Sequence, residues 1–204
     1  MNKFDFGHRT SDFGLIFALR MIILGVDPGT LITGYGVIEV TGKAHGSFRA
    51  VEFGTIESKK ISSMPKRLET IFTRLQAAIK RAKPDEFAIE TSFYDKNAQS
   101  AMKLGQARGV ALVAAQLAGL EIAEYAPRVI KKAVTGNGNA DKSQVEFMVR
   151  RLLNLPEHDR KLADAYDALA IAITHALRRG SSSKSSKTWK DFITNNPDRI
   201  KHAK

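Results

Sequence analysis

Apolar positions first become dense at Ile22-Ile23-Leu24-Gly25-Val26, an unbroken run that ends in Asp27 and then in Pro28-Gly29. Such a run is the pattern of a strand covered on both faces, and Pro-Gly directly after it turns the chain. Thr33 to Val40 and Ser47 to Glu57 follow with strand-like alternation and a turn signal at Thr41-Gly42-Lys43, which predicts an antiparallel meander. The period then changes. Ser63 with Pro65 reads as a helix start, and Leu68, Ile71, Phe72, Leu75, Ala78, Ile79 and Ala82 recur at three and four until Pro84 stops the helix.

Glu86 to Glu90 is a short apolar strand that again finishes in an acid. Asn97 to Leu117 is a helix poor in charge, with Ala101, Gly105, Gly109 and Val113 at every fourth position. A stripe of small residues fits a central helix or an interface, and an ordinary buried core helix is the simpler expectation. Glu121 to Tyr125 reads as a strand, Pro127 to Val134 as a short helix and Gly136 to Asn139 as a loop. Asp141 to Leu153 is amphipathic, with Asp141 and Gln144 suited to cap its first turn. The last helix spans about Leu162 to Leu177. A meander followed by alternating strands and helices predicts an α/β domain, a mixed sheet with helices on its faces.

The ends differ from this middle. Residues 1 to 20 hold one short apolar cluster and no cleavable signal, so they read as an extension that adds little to the fold. From Gly180 onward the chain is rich in Ser and Lys, without periodicity beyond a small Trp189, Phe192, Ile193 cluster, the composition of a disordered tail. The domain boundaries expected are therefore 1–20 extension, 21–178 folded domain and 179–204 basic tail.

Charge narrows the partner. The 204 residues carry a net charge of +11, which suits a polyanion, most simply nucleic acid. Over half of that excess lies at the end, where the segment from Arg178 has eight Lys/Arg against two Asp. There are no cysteines, so disulfides and thiolate metal sites are excluded, and a cytoplasmic protein is the expectation.

The chemistry sits in the acids. Asp27 alone is equally well explained as a turn former, because Asp commonly starts turns through its side chain. Asp164 and Asp167 share one helix face in an Ala-rich, apolar setting, where like charges raise each other's pKa unless a cation intervenes. Asp27 and Glu90 at strand ends complete a set of four oxygen donors, which selects a hard cation, Mg²⁺ or Mn²⁺. Two such ions clamp the attacking and leaving oxygens of a phosphodiester displacement, and a basic nuclease is the function expected.

ILGVDPGTLITGYGVI, the strand AIE before TSFYDKNAQSAMKLGQARGVALVAA, EYAPRVIKKAVTGNGNADKSQV and LADAYDALAIAITH together resemble the RuvC-type Holliday junction resolvases over most of residues 21 to 178. The resemblance implies a ribonuclease H-like fold and a homodimer. It also implies Mg²⁺-dependent nicking of opposed strands at a four-way DNA junction, selective for a short T-rich sequence, in recombination and repair. The family's catalytic acids fall on Asp27, Glu90, Asp164 and Asp167, implied to hold two Mg²⁺ and to leave 5′-phosphate and 3′-hydroxyl ends. Phe93 matches an aromatic that stacks on a base, and Lys131 and Lys142 match lysines that contact phosphate. Lys103, Arg108, Arg128 and Lys132 are further candidates for the same DNA surface, while His175 reads as a core-edge histidine. A branch-migration motor complex is a further candidate partner, and no membrane partner is expected.

Three other readings compete. One is a ribonuclease H-like nuclease with a different nucleic-acid substrate, and another is a non-catalytic junction-binding protein. A sugar-kinase or actin-like ATPase also begins with a strand, an Asp and a Gly turn, but the chain lacks its second phosphate loop and duplicated domain.

Overall fold

The computed structural model describes residues 20–41, 47–91, 98–156 and 162–179. Residues 1–19 of the expected extension, the tail after residue 179, Phe93 and the Gly42-Lys43 turn between the second and third strands lie outside them. The described residues form strands β1 (Arg20–Asp27), β2 (Ile32–Thr41), β3 (Ser47–Glu57), β4 (Glu86–Glu90) and β5 (Glu121–Tyr125). The helices are α1 (Met64–Ala82), α2 (Ala98–Leu117), α3 (Pro127–Thr135), α4 (Lys142–Leu153) and α5 (Ala163–Arg179).

The five strands make one mixed sheet in the order β3-β2-β1-β4-β5. The meander is antiparallel, whereas β1 pairs β4, and β4 pairs β5, in parallel. Because successive side chains of a strand point to opposite faces, β1 sends Ile23 to one layer and Leu24 and Val26 to the other. The first layer is closed by α3, α4 and α5 through Ile130, Val149, Leu169 and Ile173, and the second by α1 and α2 through Ile71, Leu75, Ala107 and Ala111. Burial on both faces is why β1 reads as continuous apolar sequence rather than as alternation.

Two local expectations change. Ser63 precedes α1 as expected, but its hydroxyl makes no cap, and its carbonyl accepts from the Arg67 N–H instead. Helix α2 is not an ordinary core helix. Its buried residues are Ala107, Ala111, Ala114 and Ala115, while Gly105 and Val113 of the small-residue stripe are exposed. The stripe and the alanine row occupy different sides of the helix, and the alanines take the core.

Candidate active site

Parallel pairing decides where the first two acids emerge. Val26 lies opposite Ile89, so Asp27 and Glu90, the next residue on each strand, leave the sheet at the same edge. The loop after Asp27 is held by its neighbours. Thr33 Oγ1 donates to the Gly29 carbonyl at 2.7 Å, and Ser58 Oγ donates to the Thr30 carbonyl at 2.7 Å.

The other two acids are brought to that edge by α5. Gly34 is the cross-strand partner of Asp27, and a Cβ built on it would lie 1.9 Å from the carbonyl oxygen of Asp164. A Cβ on Gly25 would meet Ala168 and Ala172 in the same way. These two glycines let the helix backbone rest almost directly on the sheet, and three-residue spacing then turns Asp164 and Asp167 to one side. Carboxylate oxygens of Asp27, Asp164 and Asp167 all fall within 4.8 Å of one another. Glu90 borders the same cavity of about 250 Å³ together with Asp27, Asp167, Lys131 and Lys142. Ile130, Val145 and Ala170 add apolar lining to it.

Burial, and then the charges of Glu90, Asp167 and Asp164, push Asp27 up to about 8. Burial also raises Asp167, with Asp164 adding to it and Lys142 opposing it. Lys142 Nζ stands 2.7 Å from Asp167 Oδ2 and 3.9 Å from Asp164 Oδ1. Dehydration pulls the ammonium's own pKa down, but Asp167, Asp164 and Asp27 more than offset this and hold it above the usual lysine value. One lysine leaves several converging carboxylates undercompensated. A donor set of carboxylate oxygens alone, with an acid held protonated near neutrality, fits a hard divalent cation.

The family model described as Crossover junction endodeoxyribonuclease RuvC matches residues 23–175. The chain belongs to the RuvC family. Crossover junction endodeoxyribonuclease RuvC of Cytophaga hutchinsonii is 44% identical over 180 residues, covering 88% of each chain. The protein of the same name from Porphyromonas gingivalis is 43% identical over 88% of this chain and 97% of its own. Among solved structures, Thermus thermophilus RuvC in complex with Holliday junction substrate superposes with a TM-score of 0.72 at 34% identity, covering 80% of this chain and 97% of that one. The yeast mitochondrial Holliday junction resolvase Ydc2, 11% identical with a TM-score of 0.56 over 85% of this chain and 83% of its own, shares the fold. That fold is ribonuclease H-like.

Of the residues this RuvC-family sequence singled out, the structure gathers Asp27, Glu90, Asp164, Asp167, Lys131 and Lys142 around one cavity or carboxylate cluster. The others are spread. Arg128 is exposed and packs its stem against Gly138, and Lys103 and Lys132 are exposed on α2 and α3. Arg108 is ion-paired with Glu124 of β5 and only 18% exposed, so it is tied down by the fold. His175 is also structural, with Nε2 2.5 Å from Glu86 Oε2 and Nδ1 2.7 Å from the Tyr125 hydroxyl. The start of α4 is closed by its own capping box, in which the Asp141 carboxylate accepts from the Gln144 N–H. Lys142 is therefore turned toward the acids from a helix end that its own cap already satisfies. Sequence reasoning passed over Gly34 and Ser58. Glycine inside the strand-like run Thr33-Gly34-Tyr35-Gly36 was the available signal, because strand glycine marks close backbone approach.

Proposed function

We propose that the chain is a structure-selective endodeoxyribonuclease that resolves four-way DNA junctions by paired, symmetric nicks. The observation that carries this reading is the meeting of Asp27, Asp164 and Asp167 within 4.8 Å, beside Glu90, in a chain of this family. The Thermus thermophilus relative bound to Holliday junction substrate supports the choice of substrate.

Asp27, Glu90, Asp164 and Asp167 would hold two divalent ions, Mg²⁺ with Mn²⁺ as a substitute. Bound there, such ions supply water of lowered pKa and neutralise charge on the scissile phosphate. In this reading water, rather than a side chain of the protein, would be the nucleophile. The water oxygen would bond to phosphorus and give up a proton to solvent as the bond to the 3′ oxygen breaks, and that oxygen would take up a proton, leaving 5′-phosphate and 3′-hydroxyl ends. Lys131 and Lys142 hold the phosphates on either side, Phe93 stacks on a base at the junction centre, and exposed Lys103, Arg128 and Lys132 extend the basic surface. Arg108 contributes by anchoring α2 to β5 through Glu124.

Paired nicks call for two sites, and α2 offers the surface that would join two copies. Met102, Val113 and Leu117 are 60%, 52% and 70% exposed. A Cβ on Gly105 or Gly109 would meet nothing within 4 Å. Glycine inside a helix costs roughly 1 kcal/mol relative to alanine, and here no contact within the described chain requires it. Close approach of a second α2 does. Residues 21–178 form the nuclease domain in this reading, and the basic tail adds sequence-independent affinity through counterion release. Among the described residues no helix is long and apolar enough to cross a membrane.

The test is cleavage of a synthetic mobile junction with Mg²⁺, beside a linear duplex and an RNA–DNA hybrid. Symmetric nicks on the junction alone are expected, and preferential cutting of the duplex or hybrid would overturn the substrate assignment.

A further inference from the structure

Lys142 is the first residue of α4, and its ammonium lies against the same two aspartates that converge with Asp27. An ammonium 2.7 Å from Asp167 Oδ2 and a hard divalent ion at about 2.1 Å from oxygens of the same cluster would stand within a few ångströms of each other and repel. The lysine is free to move without unfolding anything. Its side chain is 57% exposed, its four-carbon stem is flexible, and the backbone beneath it is pinned by the Asp141 and Gln144 capping box. A rotation of the side chain alone takes the charge out of the cluster.

We propose that Lys142 is the resident cation of the acidic cluster in the free protein, and that a divalent ion binds there only by displacing it. The proposal rests on the reading of Asp27, Asp164 and Asp167 as metal ligands, and it adds the regulation of that site. The displaced ammonium is the group that then meets a phosphate, so metal loading and DNA engagement draw on one side chain and reinforce each other. By reciprocity, whatever pulls Lys142 outward tightens the metal, and whatever removes the metal returns Lys142 to the acids. The free enzyme is thereby held short of metal until nucleic acid arrives.

The measurement is Mn²⁺ binding to the full-length protein without DNA, by titration calorimetry, for wild type, Lys142→Met, Lys142→Arg and Asp27→Asn. Lys142→Met is expected to bind Mn²⁺ about tenfold more tightly than wild type, and Lys142→Arg to stay within about threefold of it. Loss of binding in Asp27→Asn locates the ion in this cluster independently of Lys142. With that established, a Lys142→Met affinity equal to or weaker than wild type overturns the displacement. Mn²⁺ binding that Asp27→Asn leaves unchanged, or no binding in any form, removes the metal-site reading itself and the proposal with it.

Discussion

Gly34 and Asp164 touch through their backbones: the space a Cβ on Gly34 would need is already taken by the Asp164 carbonyl, 1.9 Å away. The same glycine pairs with Asp27 across β1 and β2. One missing side chain thus sets the separation between the first strand's acid and the last helix's acids. Gly34→Ala forces α5 outward at its first turn. It should cost about 1–3 kcal/mol of stability, and weaken Mn²⁺ binding by more than tenfold. Thermal melting and calorimetry would check both, and a variant that melts lower yet binds Mn²⁺ normally would show that the spacing is not what positions the acids.

Asp27→Asn should leave junction binding intact in a gel-shift assay while nicking falls by about a thousandfold. Undiminished nicking in Mg²⁺ would defeat the two-metal mechanism.

The same substitution has an effect on folding with a defined sign. Asp27 titrates near 8 in the folded protein against an ordinary value of 3.8, so the folded chain keeps a proton that the unfolded chain releases. Metal-free stability should then fall as pH rises from about 4 to about 8, and Asp27→Asn should flatten that slope, leaving the share that Asp167 contributes. In chelator at pH 8 the variant should be the more stable protein, by roughly 1–3 kcal/mol in urea unfolding, with the difference vanishing near pH 4. A variant less stable than wild type at pH 8 would contradict it.

A cation entering the cluster must first displace that proton. Mn²⁺ affinity should climb by up to about tenfold per pH unit below 8 and then level off. Calorimetry at pH 7 in two buffers of different ionisation enthalpy should count about one proton released per binding event from this group. Buffer-independent heats would refute the coupling.

Val113→Glu places a charge on the outer face of α2, where Val113 is 52% exposed. Sedimentation should then report monomers in place of dimers, with chain stability changed by no more than about 0.5 kcal/mol. A dimer that persists would move the interface away from α2.

Much of this site was legible because its chemistry contradicts its surroundings. An acid that ends an apolar run, as Asp27 and Glu90 do, or two acids three apart among alanines, as Asp164 and Asp167 are, stand out against hydrophobic patterning. The fold class followed from periods of two and of three to four. Partnerships across the chain left no such trace. Nothing local in the sequence says that Arg108 is held by Glu124, that Lys142 leans on Asp167, or that His175 bridges Glu86 and Tyr125. Each pair is joined by topology rather than by spacing. The direction of α2 was hidden for a different reason. Small residues cover two sides of that helix, so composition could not tell which side meets the core.

The parallel pairing of β1 with β4, and the docking of α5 on β1 and β2, have a consequence for how the protein is made. Asp27 ends the first strand and so leaves the ribosome well before Asp164 and Asp167, which lie on α5. A nascent or truncated chain that ends before α5 carries Asp27 and Glu90, which β1 and β4 already align, but lacks Asp164, Asp167 and the helix backbone that rests on Gly34. The cluster of Asp27, Asp164 and Asp167 that would hold metal in the proposed mechanism is therefore complete only once α5 has docked.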